Sequence, residues 1–345
     1  MVADVIGRGG DNWLITGGAG FIGVNLVSGL LARGTAFQIR VIDDLSAGRV
    51  GDLQRFGSVR ISESAAAQPM GREPGLEFIK ACVTDRDAAF RVTKGASVVV
   101  HLAANTSVQD SIRDPLGDAR ANIIGTLNYL EAARAGGARS FVFASSGATT
   151  GSTPPPIHEE VVCKPSSPYG VSKLAGECYS MAWHGLYGMT TAALRFSNVY
   201  GRYSGTKGAV IALFLRRALA GQPWIINGDG RQTRDFIFAD DLVEAILRSA
   251  QIENGGEIFQ ISTGCETSIA DLARILSGIL KRDAGLVPII EYGPPLKGEI
   301  RRNYADNSKA ASILDWRPQY SLEDGIRLTV RWFLEEHGSA QTAPR

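Results

Sequence analysis

Short apolar runs alternate with longer segments of helical period: "NWLITGG", then "FIGVNLVSGLLARG", "QIRVIDD", "SVVVHLAA", "PLGDARANIIGTLNYLEAARAGG" and "SFVFASS". Apolar runs without polar alternation suit strands covered on both faces, and the helical segments between them predict βαβ units around a buried parallel sheet. After "TAALRFSNVYG" the texture changes: "IALFLRRALAGQP" reads as a helix, "PWIINGDG" ends in a turn, and the rest mixes short strands with helices. Residues 1–197 are therefore expected to form one α/β domain and 198–345 a smaller α/β domain, with some segments returning to the first. The segment from Gly57 to Gly75, with "SESAAAQPMGREPG", has weak periodicity and several breakers. It reads as a surface excursion.

The first strand runs into "WLITGGAGFIGVNL", which sets Gly17, Gly20 and Gly23 between a strand and a helix, with Phe21 and Ile22 opening that helix. Glycine there permits a sharp turn and lets backbone N–H groups approach a pyrophosphate at the positive helix end. The second strand, "QIRVIDD", ends at Asp43, twenty residues beyond Gly23. A carboxylate at that distance accepts hydrogen bonds from both adenosine ribose hydroxyls and repels a 2′-phosphate, so the expected cofactor is NAD rather than NADP. The sheet is accordingly expected to be a Rossmann-type, doubly wound one.

Composition narrows the partners. The chain has 345 residues, 44% apolar and 21% charged, and 36 Lys and Arg against 35 Asp and Glu leave a formal charge of +1. No basic stripe offers itself to a phosphate backbone, so nucleic acid is not an expected partner. Cys82, Cys163, Cys178 and Cys265 are scattered without a CxxC pair, which predicts reduced thiols serving as small buried side chains. The four histidines show no ligand spacing, and no metal is expected. With no apolar leader and no stretch of membrane-spanning length, the expectation is a cytoplasmic protein.

In "SPYGVSKLAGEC", Tyr169 and Lys173 stand four positions apart and share a helix face. They could be two polar residues on an ordinary helix. Beside a nicotinamide, however, a phenol can take the proton of a substrate alcohol while hydride leaves the same carbon. Free tyrosine titrates near pH 10, so a nearby cation must stabilise the phenolate, and Lys173 is placed to do so. "FASSG" adds hydroxyls at the carboxyl end of another parallel strand, with Ser146 ahead of Ser145 as the group holding the reacting oxygen.

Taken in order, "TGGAGFIG", "HLAA", "NIIGTLNYLEAAR", "SS" before "SPYGVSK", "LRFSNVYG" and "GDGRQTRDFIFADD" resemble the extended short-chain dehydrogenase/reductase family of nucleotide-sugar epimerases and dehydratases, from about Leu14 to about Phe333. The resemblance implies Gly17, Gly20 and Gly23 at the pyrophosphate, Asp43 at the ribose, and Leu102, Ala103 and Ala104 along the cofactor. It implies Asn122 behind the tyrosine in the cofactor site, Ser146, Tyr169 and Lys173 as the proton-transfer triad, and Asn198 and Arg234 on the sugar nucleotide. It also implies a homodimer formed through the helices of "NIIGTLNYLEAAR" and Tyr169, where Ile124, Leu127, Leu130 and Leu174 fall at helical spacing.

Within that family, 4,6-dehydratases resemble one another in an Asp-Glu pair where this chain has Gly147 and Ala148, so the resemblance favours C4 epimerisation of a nucleoside-diphosphate sugar, UDP-linked. Another nucleotide-sugar enzyme (a decarboxylase, a reductase or a C5 epimerase) and a non-catalytic NAD-binding scaffold stay open as alternatives. The chain departs from its relatives at Thr150, where they carry Tyr, at Cys82, where they carry Asp, and at Leu296, where they often carry a diphosphate-binding Arg. Lys297 or Arg301 could compensate for the last. Asn303 stands where some 4-epimerases carry a tyrosine against the sugar's C2 substituent, which implies room for an N-acetyl group.

Overall fold

A computed structural model describes residues 10–34, 36–71, 74–205, 208–295 and 300–341. Its centre is an eight-stranded, all-parallel sheet. From one edge to the other the strands are Glu257–Ile261, Thr190–Phe196, Ser140–Ser146, Val98–His101, Asp11–Thr16, Ala36–Asp43, Gly75–Lys80 and Val59–Glu63. Strand order reverses between Asp11–Thr16 and Val98–His101, where successive crossovers leave in opposite directions and open a crevice at the strands' carboxyl ends.

Alternate residues of the same strands feed two cores. Trp13, Ile15, Val41, Val98 and Val142 pack with Val24, Val27 and Leu30 of the helix Phe21–Arg33, and with Leu242 and Ile246 of the helix Ala239–Ser249. Leu14, Ile42, Val99, Phe141 and Phe143 face the other way, against Ala89, Val92, Tyr129 and Leu130. Leu130 is therefore core and not part of an outward seam, whereas Ile124 on the same helical run is exposed. A third cluster joins Phe214, Trp224, Leu272, Leu276, Ile326 and Phe333, with Phe214 stacked on Trp224 at 4.7 Å.

The segment read as a surface excursion contributes the edge strand Val59–Glu63, paired in parallel with Gly75–Lys80. Its composition hid it because an edge strand needs little apolar surface. Ile61 is exposed, and the side chains add a hydrogen bond from Ser62 to Glu77 (2.8 Å), whose carboxylate also holds buried Arg40 at 2.8 Å. The cysteines also differ from expectation: all four are free thiols, but Cys82, Cys178 and Cys265 are exposed and Cys163 half-buried. Composition said nothing of their place, which loop and helix-surface positions decide. Among the described residues no helix is long and apolar enough to cross a membrane.

Candidate active site

The strand Asp11–Thr16 stops where Gly17 turns with φ 66°, and a Cβ there would sit 2.7 Å from the Ala103 backbone nitrogen. Only glycine fits so close an approach in the left-handed region. Gly23 is equally constrained, since a Cβ would fall 2.3 Å from Gly18 Cα and force the helix off the turn. The helix that follows has Gly20 at its start with no side-chain cap, so its first N–H groups are left for a ligand. Asp43 is held from two sides: the Ala19 N–H donates to Oδ2 (3.1 Å) and the Leu45 N–H to Oδ1 (2.8 Å). Burial pushes its pKa up, and those two amide bonds oppose the rise. Each carboxylate oxygen keeps acceptor capacity for a hydroxyl.

These groups line a cleft of about 390 Å³. Gly17, Gly20, Phe21, Ile22, Gly23 and Asp43 form one side, Leu102, Ala103 and Ala104 the other, and Ser146, Tyr169, Lys173 and Asn198 the far end. A glycine cradle, a free helix start and a buried ribose-level carboxylate fit a dinucleotide.

Ser146 ends its strand and caps the following turn by accepting the Ala148 N–H (3.2 Å). Ser145 bonds instead to buried Glu177, leaving Ser146 to bond the Tyr169 phenol. Tyr169 and Lys173 lie in the first turns of the helix Pro168–Tyr187, capped by Ser167 on the Gly170 N–H (3.1 Å). Burial raises the phenol pKa above its ordinary value, the Ser146 hydrogen bond lowers it, and the Asp118 charge raises it further. Lys173, itself buried, donates to the Ala144 carbonyl (2.8 Å) and lies 6.0 Å from the Tyr169 ring centroid. His101, packed beneath, accepts or donates at 2.9 Å to Thr16. Burial, with the Lys173 charge adding, pushes its pKa down to about 3, so it stays neutral near pH 7.

A second cavity of about 250 Å³ lies beyond, and Asn198 borders both. Arg234 lines it while its Nη1 donates to the carbonyls of Thr233 (2.7 Å) and Ile300 (2.8 Å). Three of the expected site residues fall outside both cavity walls. Asn122 is buried behind the cleft, Arg301 forms a two-bond pair with Asp229 on the surface (2.9 and 2.8 Å), and Asn303 is held by its backbone N–H to Thr233 Oγ1 (3.4 Å). The Asp229 partner of Arg301 comes from a distant segment that the local sequence does not point to. Thr150 is buried and turned to the Gly147 carbonyl (2.9 Å), while Cys82 is in the cleft wall. Leu296 and Lys297 lie outside the described residues. Gln232, Asn227 and Phe214 of the second cavity were not singled out by sequence, although "GDGRQTRDF" carries Gln232 beside Arg234.

The model of the NAD dependent epimerase/dehydratase family matches residues 13–262. The chain belongs to that family. This family member is 38% identical over 325 residues to a UDP-glucose 4-epimerase of Mycolicibacterium smegmatis, covering 93% of this chain and 97% of the relative. Its fold is similar to that of the Thermotoga maritima UDP-glucose 4-epimerase solved with UDP-glucose, with a TM-score of 0.82, 35% identity, and 94% and 99% of the two chains covered. It is also similar to the Thermus thermophilus UDP-glucose 4-epimerase solved with NAD, with a TM-score of 0.78, 31% identity, and coverage of 93% and 98%.

Proposed function

We propose that this epimerase/dehydratase family member is an NAD-dependent nucleotide-sugar 4-epimerase that interconverts UDP-glucose and UDP-galactose, or their N-acetylamino forms, through a transient 4-keto sugar. One observation carries the reading: Ser146, Tyr169 and Lys173 converge at the end of a dinucleotide cleft, and the two residues after Ser146, Gly147 and Ala148, bring no acid or base for eliminating water. Residues 1–197 would hold the cofactor, and residues 198–345 would mainly hold the sugar nucleotide, with Asn198 and Arg234 beside it. Held in the cleft by the glycine turn and Asp43, NAD would supply the hydride acceptor for the sugar's C4. Tyr169 Oη takes the C4 hydroxyl proton and returns it to that oxygen after the keto sugar has turned its other face to the hydride, Ser146 Oγ holds the reacting oxygen, and the Lys173 charge favours the phenolate that burial opposes. Among the described residues of the cleft wall Lys173 is the one cation, so a sugar with a C6 carboxylate would find no guanidinium there. Incubation with UDP-, dTDP- and GDP-sugars without added cofactor, followed by NMR, should convert a UDP-hexose into its C4 epimer. A 4-keto-6-deoxy product, or no product from any sugar, would overturn the assignment.

Because Asp43 presents a carboxylate at the ribose position, NAD should bind at least about tenfold more tightly than NADP, a difference of about 1.4 kcal/mol. Equal dissociation constants by calorimetry would remove Asp43 from that role.

The homodimer is part of the proposal. Val108, Ile112, Leu116, Ile124 and Val171 expose apolar side chains on neighbouring helical segments, a grouping that supports pairing with a second copy. Light scattering should give a dimer at micromolar concentration, and Leu116→Asp with Ile124→Asp should give a folded monomer. A monomeric wild type would contradict it. The cytoplasm is the proposed location, and cell fractionation that recovers the protein with membranes would count against it.

A further inference from the structure

Tyr169 and Lys173 lie on buried ground, where an ammonium is costly unless a carboxylate answers it. Among the described residues, His101, Glu177 and Asp118 are titratable groups packed near them. His101, under Lys173 on the strand Val98–His101, is neutral. Glu177, one turn further along the same helix, is bound by both Nε and Nη2 of Arg195 at 2.8 Å, so its charge is already matched. Asp118 is only 2% exposed and comes from the helix Pro115–Ala119, which packs directly against the helix Pro168–Tyr187 that carries Tyr169 and Lys173, close enough for its charge to be felt at both.

The surroundings of Asp118 are donors. The Asn105 N–H, which can only donate, meets Asn122 Oδ1 at 2.8 Å and thereby fixes the amide's orientation. Asn122 Nδ2 then points at Asp118 Oδ1 (3.0 Å), the Asn105 carbonyl (3.0 Å) and Ser172 Oγ (3.1 Å). Ser172 Oγ in turn donates to the Tyr169 carbonyl (3.0 Å), and burial raises the Asp118 pKa while its polar surroundings and the Lys173 charge lower it. Asn122 sits in a widened π turn, Arg120–Ile124, inserted in an otherwise α-helical run, the kind of irregularity that re-aims a side chain. Asn105 lines the cleft and Ser172 adjoins Lys173, so Asp118 is linked to both through the Asn122 amide.

We propose that Asp118 is a positioning residue for the proton-transfer pair: its carboxylate is the fixed counter-charge that keeps Lys173 cationic, and through Asn122 it ties the Tyr169 helix to the Asn105 wall of the cleft. The inference rests on the proposed role of Tyr169 and Lys173, and it identifies the reason sequence motifs place Asn122 near the site although it does not line the cleft. The cost is that the same charge opposes the Tyr169 phenolate; Asp118 favours a charged lysine over an easily ionised tyrosine.

The test is a pH titration of the Lys173 side chain by NMR, in protein carrying labelled lysine, with its signal assigned by its loss in Lys173→Arg. In Asp118→Asn, which is isosteric, the Lys173 titration should move toward acid by about one pH unit or more, as expected for the loss of an opposite charge. The alkaline limb of the kcat profile should move in the same direction. Asp118→Glu, which retains the charge, should stay near wild type. An unmoved Lys173 titration in Asp118→Asn, or an equal shift in Asp118→Glu, would overturn the proposal and leave Asp118 a purely structural residue. If the asparagine variant fails to fold, Asp118→Ser serves the same comparison. The titration needs no substrate, so an inactive wild type would sink the epimerase reading and still decide this one.

Discussion

Tyr169→Phe is expected to lower kcat by about 100-fold or more, the scale of a lost general acid-base group, while leaving folding and NAD affinity unchanged. The ring stays, so the buried packing of Tyr169 is retained and only the hydroxyl bonded to Ser146 is lost. Burial already holds the phenol above its ordinary pKa, which makes the residue a poor base unless a cation offsets it. Lys173 beneath it and the positive charge of oxidised nicotinamide would both act in that direction. Steady-state turnover with a UDP-hexose and calorimetry with NAD provide the check. Near-normal turnover in the variant would exclude Tyr169 from proton transfer.

Glu177→Ala should be the most damaging single change to stability, by about 3–5 kcal/mol, because it strands a buried guanidinium. Arg195 and Glu177 are 2% and 1% exposed and 2.8 Å apart, joining the Tyr169 helix to the strand Thr190–Phe196. Glu177 also receives the Ser145 hydroxyl, so the end of the strand that presents Ser146 loses an anchor at the same time. Urea unfolding should show a lower midpoint with an unchanged slope, and the double change Glu177→Leu with Arg195→Leu should recover much of the loss. A loss below about 1 kcal/mol would mean that the pair is solvated or replaceable, as surface pairs are.

The parts legible in sequence are those whose cause is local. Gly17 and Gly23 announce a turn because no other residue fits it, and Asp43 follows at the end of the next strand. Tyr169 and Lys173 share a helix face by spacing alone. The remainder depends on what lies opposite in space. Arg301 pairs on the surface with Asp229, 72 positions away in sequence, a partner that its own segment does not reveal. Val59–Glu63 is a strand because Gly75–Lys80 offers an edge, not because of its own composition. Leu130 and Ile124 fit one apolar pattern, yet the helical run turns the first into the core and the second outward. The motif around Asn122 places it in the right neighbourhood but not in the cleft wall, since its amide braces Asn105 and Ser172 from behind.

The central claim is that a hydrogen leaves C4 of a nucleotide sugar and returns to the opposite face without exchanging with water. The most direct measurement is NMR of UDP-galactose incubated with the purified protein in deuterium oxide, with no cofactor added. The account predicts UDP-glucose that retains protium at C4 and carries no deuterium at C5. Deuterium at C5, or no interconversion while NAD is bound, would contradict it.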